Sequence, residues 1–183
     1  LAMECEVPVI AAMQGHGLGG GWTLGMFADF VVMSEQSRYV SPYMGYGFTP
    51  GAGATLILPR QLGADLAKES LLTARPYTGT QLRDRGLLLP VSSRSEVLPT
   101  AMALAKKIAL MPRARLVRFK QKLTRSVLAV VDETYRRELA MHDQTFVGQS
   151  VAMEQIQRNF LQIGAAEGES NVTAAPASVT VAR

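Results

Sequence analysis

The sequence predicts an α/β protein whose C-terminal part is helical. Its 183 residues, 48% of them hydrophobic and 19% charged, have the length and composition of one globular domain with a real core. Short apolar runs separated by glycine-rich turns fill the first half, whereas apolar residues in the second half recur at helical spacing. Because strand–turn–helix units come first and helices last, an α/β core followed by a helical subdomain is the expected architecture.

The first elements alternate between buried strands and glycine turns. Val7–Met13 is apolar enough for a buried strand, and the glycine-rich turn Gly15–Gly21 leads into a short buried helix at Trp22–Phe27. A second strand is predicted at Phe30–Met33, and a second glycine-rich loop at Ser41–Thr55.

Three further elements complete the predicted α/β part. Gly63–Thr73 has the apolar spacing of a helix. Thr78 opens another short helix, and Gly86 follows it in the position that suits a left-handed cap. A strand is then predicted at Leu87–Val91.

The rest of the chain is predicted to be helical up to residue 163. Ser95 is the expected N-cap of a helix that Pro112 stops. A basic helix follows, and then separate helices at Asp132–Phe146 and Val151–Ile163. From Gly164 the composition changes to small and polar residues without periodicity, so a domain at 1–163 and a flexible tail or linker at 164–183 are predicted.

Composition also bounds the cellular setting. The single cysteine, Cys5, can form no internal disulfide and no metal site, so a reducing cytoplasm is expected. No apolar run reaches the roughly 20 residues that a membrane span needs. The first residues carry acids where a secretory signal carries basic residues. No membrane partner, metal or cofactor is therefore predicted.

The net charge of +4 is concentrated in one segment, Arg113–Arg125, which contains six basic residues and no acidic one. One reading is a solvated helix face. The other is a site for an anionic partner, either a phosphate-bearing cofactor or an acidic carrier protein, with Arg113, Arg118 and Lys120 as contacts. Nucleic acid is disfavoured because the segment holds one aromatic residue, Phe119, and no stacking platform.

The glycine turn contains a G-x-G-x-x-G match at residues 15–20. A dinucleotide site also needs an acid about 20 residues further on, at the end of the next strand, and Glu35 comes too early for that role. The three consecutive glycines Gly19–Gly21 fit another chemistry, because exposed N–H groups at a helix start favour a negative oxygen. They predict half of an oxyanion hole. A tight turn that simply needs small residues remains the alternative from this loop alone.

Two segments resemble the crotonase, or enoyl-CoA hydratase/isomerase, superfamily. Val7–Phe30, with its Gly-His-Gly-Leu-Gly-Gly-Gly-Trp run, looks like the first signature, and Tyr46–Thr55 looks like the second at the expected distance. Leu71–Arg75 and Leu82–Val91 match the next two blocks in character and order. The resemblance covers Leu1 to Phe160, in two ordered glycine motifs.

The resemblance implies a crotonase-like fold of ββα turns in a superhelix, with a helical C-terminal trimerisation region. The N-terminal part of that fold, with the first oxyanion donor and a lysine, is expected to lie outside this chain. A homotrimer or a dimer of trimers is implied, as is a thioester substrate whose carbonyl sits between two N–H donors. Gly20 falls on the second donor, and Gly19 beside it is expected to contact the substrate.

Two positions depart from the hydratases of this family. Thr23 and Tyr43 stand where those enzymes carry their catalytic glutamates. Addition of water needs a carboxylate base to activate the water and an acid to protonate carbon. Hydration, and isomerisation through the second glutamate, are therefore disfavoured.

An oxyanion hole without a carboxylate base suits decarboxylation, because CO₂ itself is the leaving group. The sequence looks most like the decarboxylases of polyketide β-branching, which convert a 3-methylglutaconyl group on an acyl carrier protein to a 3-methylcrotonyl-type thioester. His142 occupies the position of that subfamily's histidine, and its implied roles are to bind the substrate carboxylate and to deliver a proton. Tyr43 is expected to be an apolar pocket wall and Trp22 and Thr23 to line the site, with Thr23 closer to a core residue.

Two alternatives remain at this stage. The protein could be a hydratase, isomerase or other lyase that acts on a free CoA thioester. It could also be a non-catalytic trimer whose basic face docks acidic carrier domains. His16, which lies between two glycines, is expected to be a turn residue.

Overall fold

The computed structural model of the chain describes residues 2–158, and it divides into a first unit that ends at Val147 and a second that begins at Gly148. In the second unit, residues 150–158 are helical. The rest of the helix predicted at Val151–Ile163 and the tail predicted at 164–183 lie outside the described residues. The boundary between domain and tail therefore stays a prediction.

Six short strands of the first unit form two three-stranded sheets. The strands are β1 (Ile10–Met13), β2 (Gly17–Leu18), β3 (Phe30–Ser34), β4 (Arg38–Val40), β5 (Tyr77–Thr78) and β6 (Val91–Ser92). One sheet has the order β1-β3-β6 and is parallel throughout. In the other sheet, of order β2-β4-β5, β2 and β4 are parallel and β4 and β5 are antiparallel.

Six α-helices surround these sheets. They are α1 (Gly20–Met26), α2 (Ala54–Leu62), α3 (Ala64–Thr73), α4 (Gly79–Asp84), α5 (Val97–Ala109) and α6 (Arg113–Thr145). Two 3-10 turns lie at Ala2–Glu4 and Tyr43–Tyr46. Helix α4 begins at a capping box in which Thr78 and Gln81 bond each other's backbone N–H groups. Gly86 follows α4 with a φ of 94°, in the left-handed region that the sequence predicted.

Most of the predicted elements are present, but the structure differs from the prediction in several details. Strand β6 is only Val91–Ser92, because Leu88 of the predicted strand is 96% exposed and pairs with no neighbour in the sheet. Strand β4 and helix α2 were missed inside or beside the glycine loop. The N-cap of α5 is Glu96 and not Ser95, and its side chain makes no capping bond.

Helix α6 is a single helix of 33 residues, where two helices were predicted. No glycine or proline occurs between Arg113 and Thr145, so nothing in the backbone interrupts it. This continuity places the basic segment and His142 on one element.

The core lies between the helices and the faces of the two sheets. Helix α1 supplies Trp22 and Met26, and Phe27 follows as its C-cap; all three are essentially inaccessible to solvent. Ile57 and Leu58 of α2 belong to the same cluster. Each such side chain stabilises the fold by roughly 1.5–3 kcal/mol relative to exposure. The helix that carries the three glycines is thus fixed in place by its buried face.

Residues 2–158 contain neither a candidate membrane span nor a candidate metal site. No helix there combines the length and the apolar character that a membrane crossing needs. No group of three or more His, Cys, Asp or Glu side chains in that range is arranged to hold a metal ion.

Candidate active site

Gly19 forms a turn that only glycine fits. Its φ of 52° lies in the left-handed region, and a Cβ atom there would come 2.9 Å from the Tyr43 hydroxyl oxygen. Its N–H donates to the Val40 carbonyl at 2.9 Å. Its carbonyl accepts hydrogen bonds from the Thr23 N–H at 3.1 Å and from the Thr23 hydroxyl at 3.2 Å. Both polar groups of Gly19 are therefore committed within the protein.

The next two glycines leave their N–H groups without an acceptor inside the helix. The first bond of α1 runs from the Thr23 N–H to Gly19, so the N–H groups of Gly20 and Gly21 precede the helical ladder. A Cβ atom on Gly20 would meet only the Tyr43 hydroxyl, at 3.8 Å, and one on Gly21 would meet no atom within 4 Å. Space for a ligand oxygen is thus found at Gly20 and Gly21, while the N–H of Gly19 is occupied.

Tyr43 brings a polar atom to this turn. Its ring packs against Phe48 with 5.4 Å between ring centroids, and its hydroxyl lies over Gly19 and Gly20. Burial raises the pKa of Tyr43 above the ordinary value of 10.0, and the negative charge of Glu138 and the proximity of Tyr46 raise it further. The hydroxyl is therefore protonated at neutral pH and can donate a hydrogen bond. The prediction of a purely apolar wall holds for the ring but was wrong for this end of the side chain.

Phe48 connects Tyr43 to the predicted histidine. Its ring centroid lies 5.9 Å from that of His142 and 4.6 Å from that of Phe146, both from the end of α6 or just beyond it. We call Tyr43, Phe48, His142 and Phe146 the aromatic cluster. Through it the structure groups Tyr43, His142 and the glycine turn on one side of the first unit.

His142 is held by the loop that follows Phe48. Its Nε2 lies 2.8 Å from the Thr49 carbonyl oxygen. Because a carbonyl can only accept a hydrogen bond, Nε2 carries the hydrogen. Gly51 packs so closely on the imidazole that a Cβ atom there would lie 2.8 Å from Nε2. A half-buried imidazole with one fixed nitrogen is suited to proton transfer at its other nitrogen.

Two residues on the same face of α6 were missed by the sequence analysis. Glu138, one turn before His142, is 1% exposed and accepts hydrogen bonds from the N–H groups of Gly53 and Thr55. Thr145, one turn after His142, bonds Thr49. Their spacing from His142 was a signal, since residues three or four apart share a helix face.

Trp22 and Thr23 lie beneath the glycine turn. Trp22 is fully buried and packs against Tyr39, with 6.1 Å between ring centroids. The prediction that Trp22 contacts substrate was wrong, because the residue has no accessible surface. Thr23 is buried as well, and its hydroxyl donates a hydrogen bond to the Gly19 carbonyl, which agrees with the expectation of a core residue.

The three predicted carrier contacts separate into different environments. Arg113 is exposed and pairs with Glu6 at 2.9 Å, and Arg118 is exposed. Lys120 is 4% exposed, and its Nζ bonds Asp29 and the carbonyl groups of Ala2 and Val7, each at 2.8 Å. The prediction for Lys120 was therefore wrong, since a buried ammonium with three oxygen partners cannot meet a carrier protein.

His16 lies outside the aromatic cluster. Its Nδ1 accepts a hydrogen bond from the Arg38 N–H at 2.9 Å, which ties the glycine turn to the start of β4. This is the position of the turn residue that the sequence predicted.

Comparison with known proteins places the chain among proteins of related sequence and fold. Residues 1–162 match the family Enoyl-CoA hydratase/isomerase. The bacillaene synthase decarboxylase PksI of Bacillus subtilis is 49% identical over 146 residues, which are 80% of this chain and 59% of that protein. The predicted family resemblance is confirmed.

Two solved structures support the same relationship. A structure from a dehydratase/decarboxylase enzyme couple involved in polyketide β-branching has a TM-score of 0.83 and 46% identity, over 86% of this chain and 64% of that one. The ECH2 decarboxylase domain of CurF from Lyngbya majuscula has a TM-score of 0.81 and 45% identity, over 85% and 64% of the two chains. The predicted fold is confirmed, and the chain spans about 59–64% of the length of these relatives.

Proposed function

The chain belongs to the enoyl-CoA hydratase/isomerase family, and from this we propose that the protein is a decarboxylase. Its substrate is a 3-methylglutaconyl-type thioester on an acyl carrier protein, and its product is a 3-methylcrotonyl-type thioester. One observation carries the proposal. At the two positions where the family's hydratases have glutamates, this site has the buried Thr23 and the protonated hydroxyl of Tyr43. It therefore has an oxyanion-binding turn but no carboxylate there to activate water. Decarboxylation is the reaction of this family that needs an oxyanion-binding turn but no carboxylate to activate water.

The reaction begins with cleavage of the bond between the substrate's carboxylate carbon and the neighbouring methylene carbon. CO₂ leaves, and the electron pair spreads over the double bond onto the thioester oxygen as a dienolate. A carboxylate at Tyr43 would repel the substrate's own carboxylate, whereas a neutral hydroxyl does not. The N–H of Gly20 stabilises the developing negative charge, because it is held at the start of α1 and has no acceptor within the helix.

Tyr43 supports the same step in two ways. Its hydroxyl lies over Gly19 and Gly20, so an oxygen bound at the Gly20 N–H falls within reach of a second donor. Its ring, packed on Phe48, covers the turn and keeps water from the dienolate. Gly19 contributes shape and not an N–H, because its own N–H is bonded to Val40.

His142 supplies the proton that completes the reaction. In its charged form the imidazolium attracts the substrate carboxylate. After CO₂ has left, the imidazolium transfers a proton to the terminal carbon of the dienolate, and the neutral imidazole then regains a proton from solvent. Trp22 and Thr23 act indirectly, since they hold the glycine turn from below.

The acyl carrier protein is the proposed partner, because its acidic surface complements the basic first half of α6. Arg118 is the principal candidate contact, since it is exposed and no acidic residue occurs between Arg113 and Arg125. Arg113 is a secondary candidate, because Glu6 already neutralises part of its charge. A homotrimer is the proposed assembly.

The test is release of CO₂ by the full-length protein from 3-methylglutaconyl carrier protein. We expect turnover by the wild type and loss of most of the rate in His142→Ala. Competition between the carrier-bound substrate and its CoA ester should favour the carrier-bound form. Addition of water to crotonyl-CoA at a rate typical of a hydratase would contradict the proposal. A protein that binds carrier equally well with and without His142, and turns over no thioester, would be a docking scaffold.

A further inference from the structure

The loop Thr49–Thr55 is fastened to one face of α6 at both of its ends. At the C-terminal end, the Glu138 carboxylate accepts three hydrogen bonds: from the Gly53 N–H at 2.6 Å, the Thr55 N–H at 3.0 Å and the Thr55 hydroxyl at 2.6 Å. The carboxylate thereby caps the N-terminus of α2, whose N-cap residue, Gly53, offers no side chain for that purpose. A buried charge with three donors is a strong and directional attachment.

At the N-terminal end, Thr145 holds Thr49. The Thr145 hydroxyl donates to the Met141 carbonyl at 2.8 Å and accepts hydrogen bonds from the Thr49 N–H at 3.3 Å and the Thr49 hydroxyl at 3.1 Å. One donated bond and two accepted bonds use the full capacity of a hydroxyl group. The backbone N–H and the side chain of Thr49 are thus held from α6.

His142 lies between these two attachments. Glu138, His142 and Thr145 follow one another at spacings of four and three residues, so all three side chains project from the same face of α6. The Thr49 carbonyl that bonds Nε2 belongs to the residue whose N–H and hydroxyl Thr145 holds. Gly51, between the two attachments, lets the backbone lie against the imidazole.

We propose that Glu138 and Thr145 are positioning residues that hold the Thr49 carbonyl against His142, so that the hydrogen stays on Nε2 and the proton of the reaction moves at Nδ1. Among residues 2–158 no hydrogen bond to Nδ1 is found, so this nitrogen is the one open to a substrate. The catalytic consequence rests on the proposed decarboxylation. The position of the hydrogen on the ring does not depend on it.

The tautomer can be measured directly by NMR on the full-length protein labelled with ¹⁵N in its imidazole groups. This sequence contributes His16 and His142, and His142→Ala assigns the signals of His142 by their loss, whatever other histidines the full-length protein has. At a pH where His142 is neutral, we expect its Nε2 to be the protonated nitrogen. A neutral His142 with its hydrogen on Nδ1 would overturn the inference.

Variants then separate positioning from general stability. Thr145→Val removes the hydroxyl, and we expect a mixture of tautomers and a kcat for the carrier-bound substrate lowered about 10- to 100-fold, with little change in KM. Thr145→Ser keeps the hydroxyl and should restore both readouts. Glu138→Gln should act in the same direction, because its amide N–H₂ faces backbone N–H groups that need an acceptor. Glu133→Gln is the matched control, since Glu133 lies on the same helix and pairs with Arg136 and Arg137 on the surface.

The outcomes distinguish this inference from the proposed function. If the wild type holds the Nε2–H tautomer and Thr145→Val loses it, the positioning role stands even where no thioester is decarboxylated. If Thr145→Val retains the wild-type tautomer and kcat, the positioning role is wrong, although decarboxylation by His142 is unaffected. Should Glu138→Gln fail to fold, the comparison of Val with Ser at position 145 still decides the question.

Discussion

The Lys120 ammonium lies 2.8 Å from Oδ2 of Asp29, with the two side chains 3% and 15% exposed. The same carboxylate oxygen accepts the Val9 N–H at 2.7 Å. Val9 directly precedes β1 and Asp29 directly precedes β3, so this ion pair joins α6 to the beginning of two neighbouring parallel strands. Its charge serves the fold and not a partner protein.

Replacement of this lysine by an apolar residue of similar length should destabilise the fold strongly. In Lys120→Met, the Asp29 carboxylate is left in a largely buried place, and among residues 2–158 its remaining hydrogen-bond partner is the Val9 N–H. Breaking such a pair from one side costs about 3–5 kcal/mol. Urea denaturation should show this loss in the free energy of unfolding.

The double variant Lys120→Met/Asp29→Asn is the control for the ion pair. The asparagine oxygen still accepts from Val9 but carries no charge, so the double variant should lose less than the sum of the two single losses. Strict additivity would mean that the two side chains do not interact.

Carrier binding should depend on Arg118 and not on Lys120. Arg118→Glu reverses an exposed charge in the basic half of α6, and we expect carrier affinity to fall about tenfold or more at low salt, mainly through slower association. Arg136→Glu makes the same change in the other half of the helix, where Arg136 pairs with Glu133, and should bind nearly as wild type. Surface plasmon resonance measures the carrier affinity. An equal loss of affinity in both variants would mean that only the net charge of the protein matters, and not the position of Arg118.

Lys120 and Arg118 lie in the same basic run but in different environments, and this difference illustrates what the sequence could and could not predict. The glycine turn, Tyr43 and His142 were expected at the site because short segments of the sequence resemble the motifs of a known family. Whether a lysine in a basic run is buried depends on Asp29, 91 positions earlier, and no local pattern encodes that pairing. The spacing of Glu138 from His142 indicates a shared helix face, but its partners could not be predicted, because the N–H groups of Gly53 and Thr55 are far away along the chain.

Removal of the Tyr43 hydroxyl should slow the chemical step without weakening substrate binding. Tyr43→Phe retains the ring that packs on Phe48 but removes the donor over Gly19 and Gly20. Loss of one oxyanion donor of this kind lowers kcat about 100-fold or more, while KM changes little, since the bond forms fully only as charge develops. Single-turnover CO₂ release measures the chemical step. A wild-type rate in Tyr43→Phe would mean that the hydroxyl is not an oxyanion donor and that Tyr43 only lines the site.

Substitution of Gly51 should displace His142. In Gly51→Ala the new methyl group would overlap the imidazole, so the ring must move away from the Thr49 carbonyl. A misplacement of about 1 Å costs on the order of 100-fold in rate. Gly15→Ala is the control, because a Cβ atom there meets nothing within 4 Å, and it should be active. Equal activity of the two variants would show that the imidazole position is not critical.

The stability of the fold at acid pH should depend on Glu69. Its carboxylate accepts two hydrogen bonds from Arg85 and one from the Tyr77 hydroxyl, and these lower the pKa of Glu69 from 4.5 to about 2. A carboxyl whose pKa is lowered by folding contributes stability that is complete above pH 4.5 and is lost as the pH falls toward 2. In Glu69→Gln this contribution is absent at every pH, so its unfolding free energy should lie below that of the wild type at neutral pH and converge with it at acid pH. Urea denaturation between about pH 7 and pH 3 measures the difference. A constant gap between the two proteins across that range would mean that Glu69 titrates alike in the folded and unfolded chains.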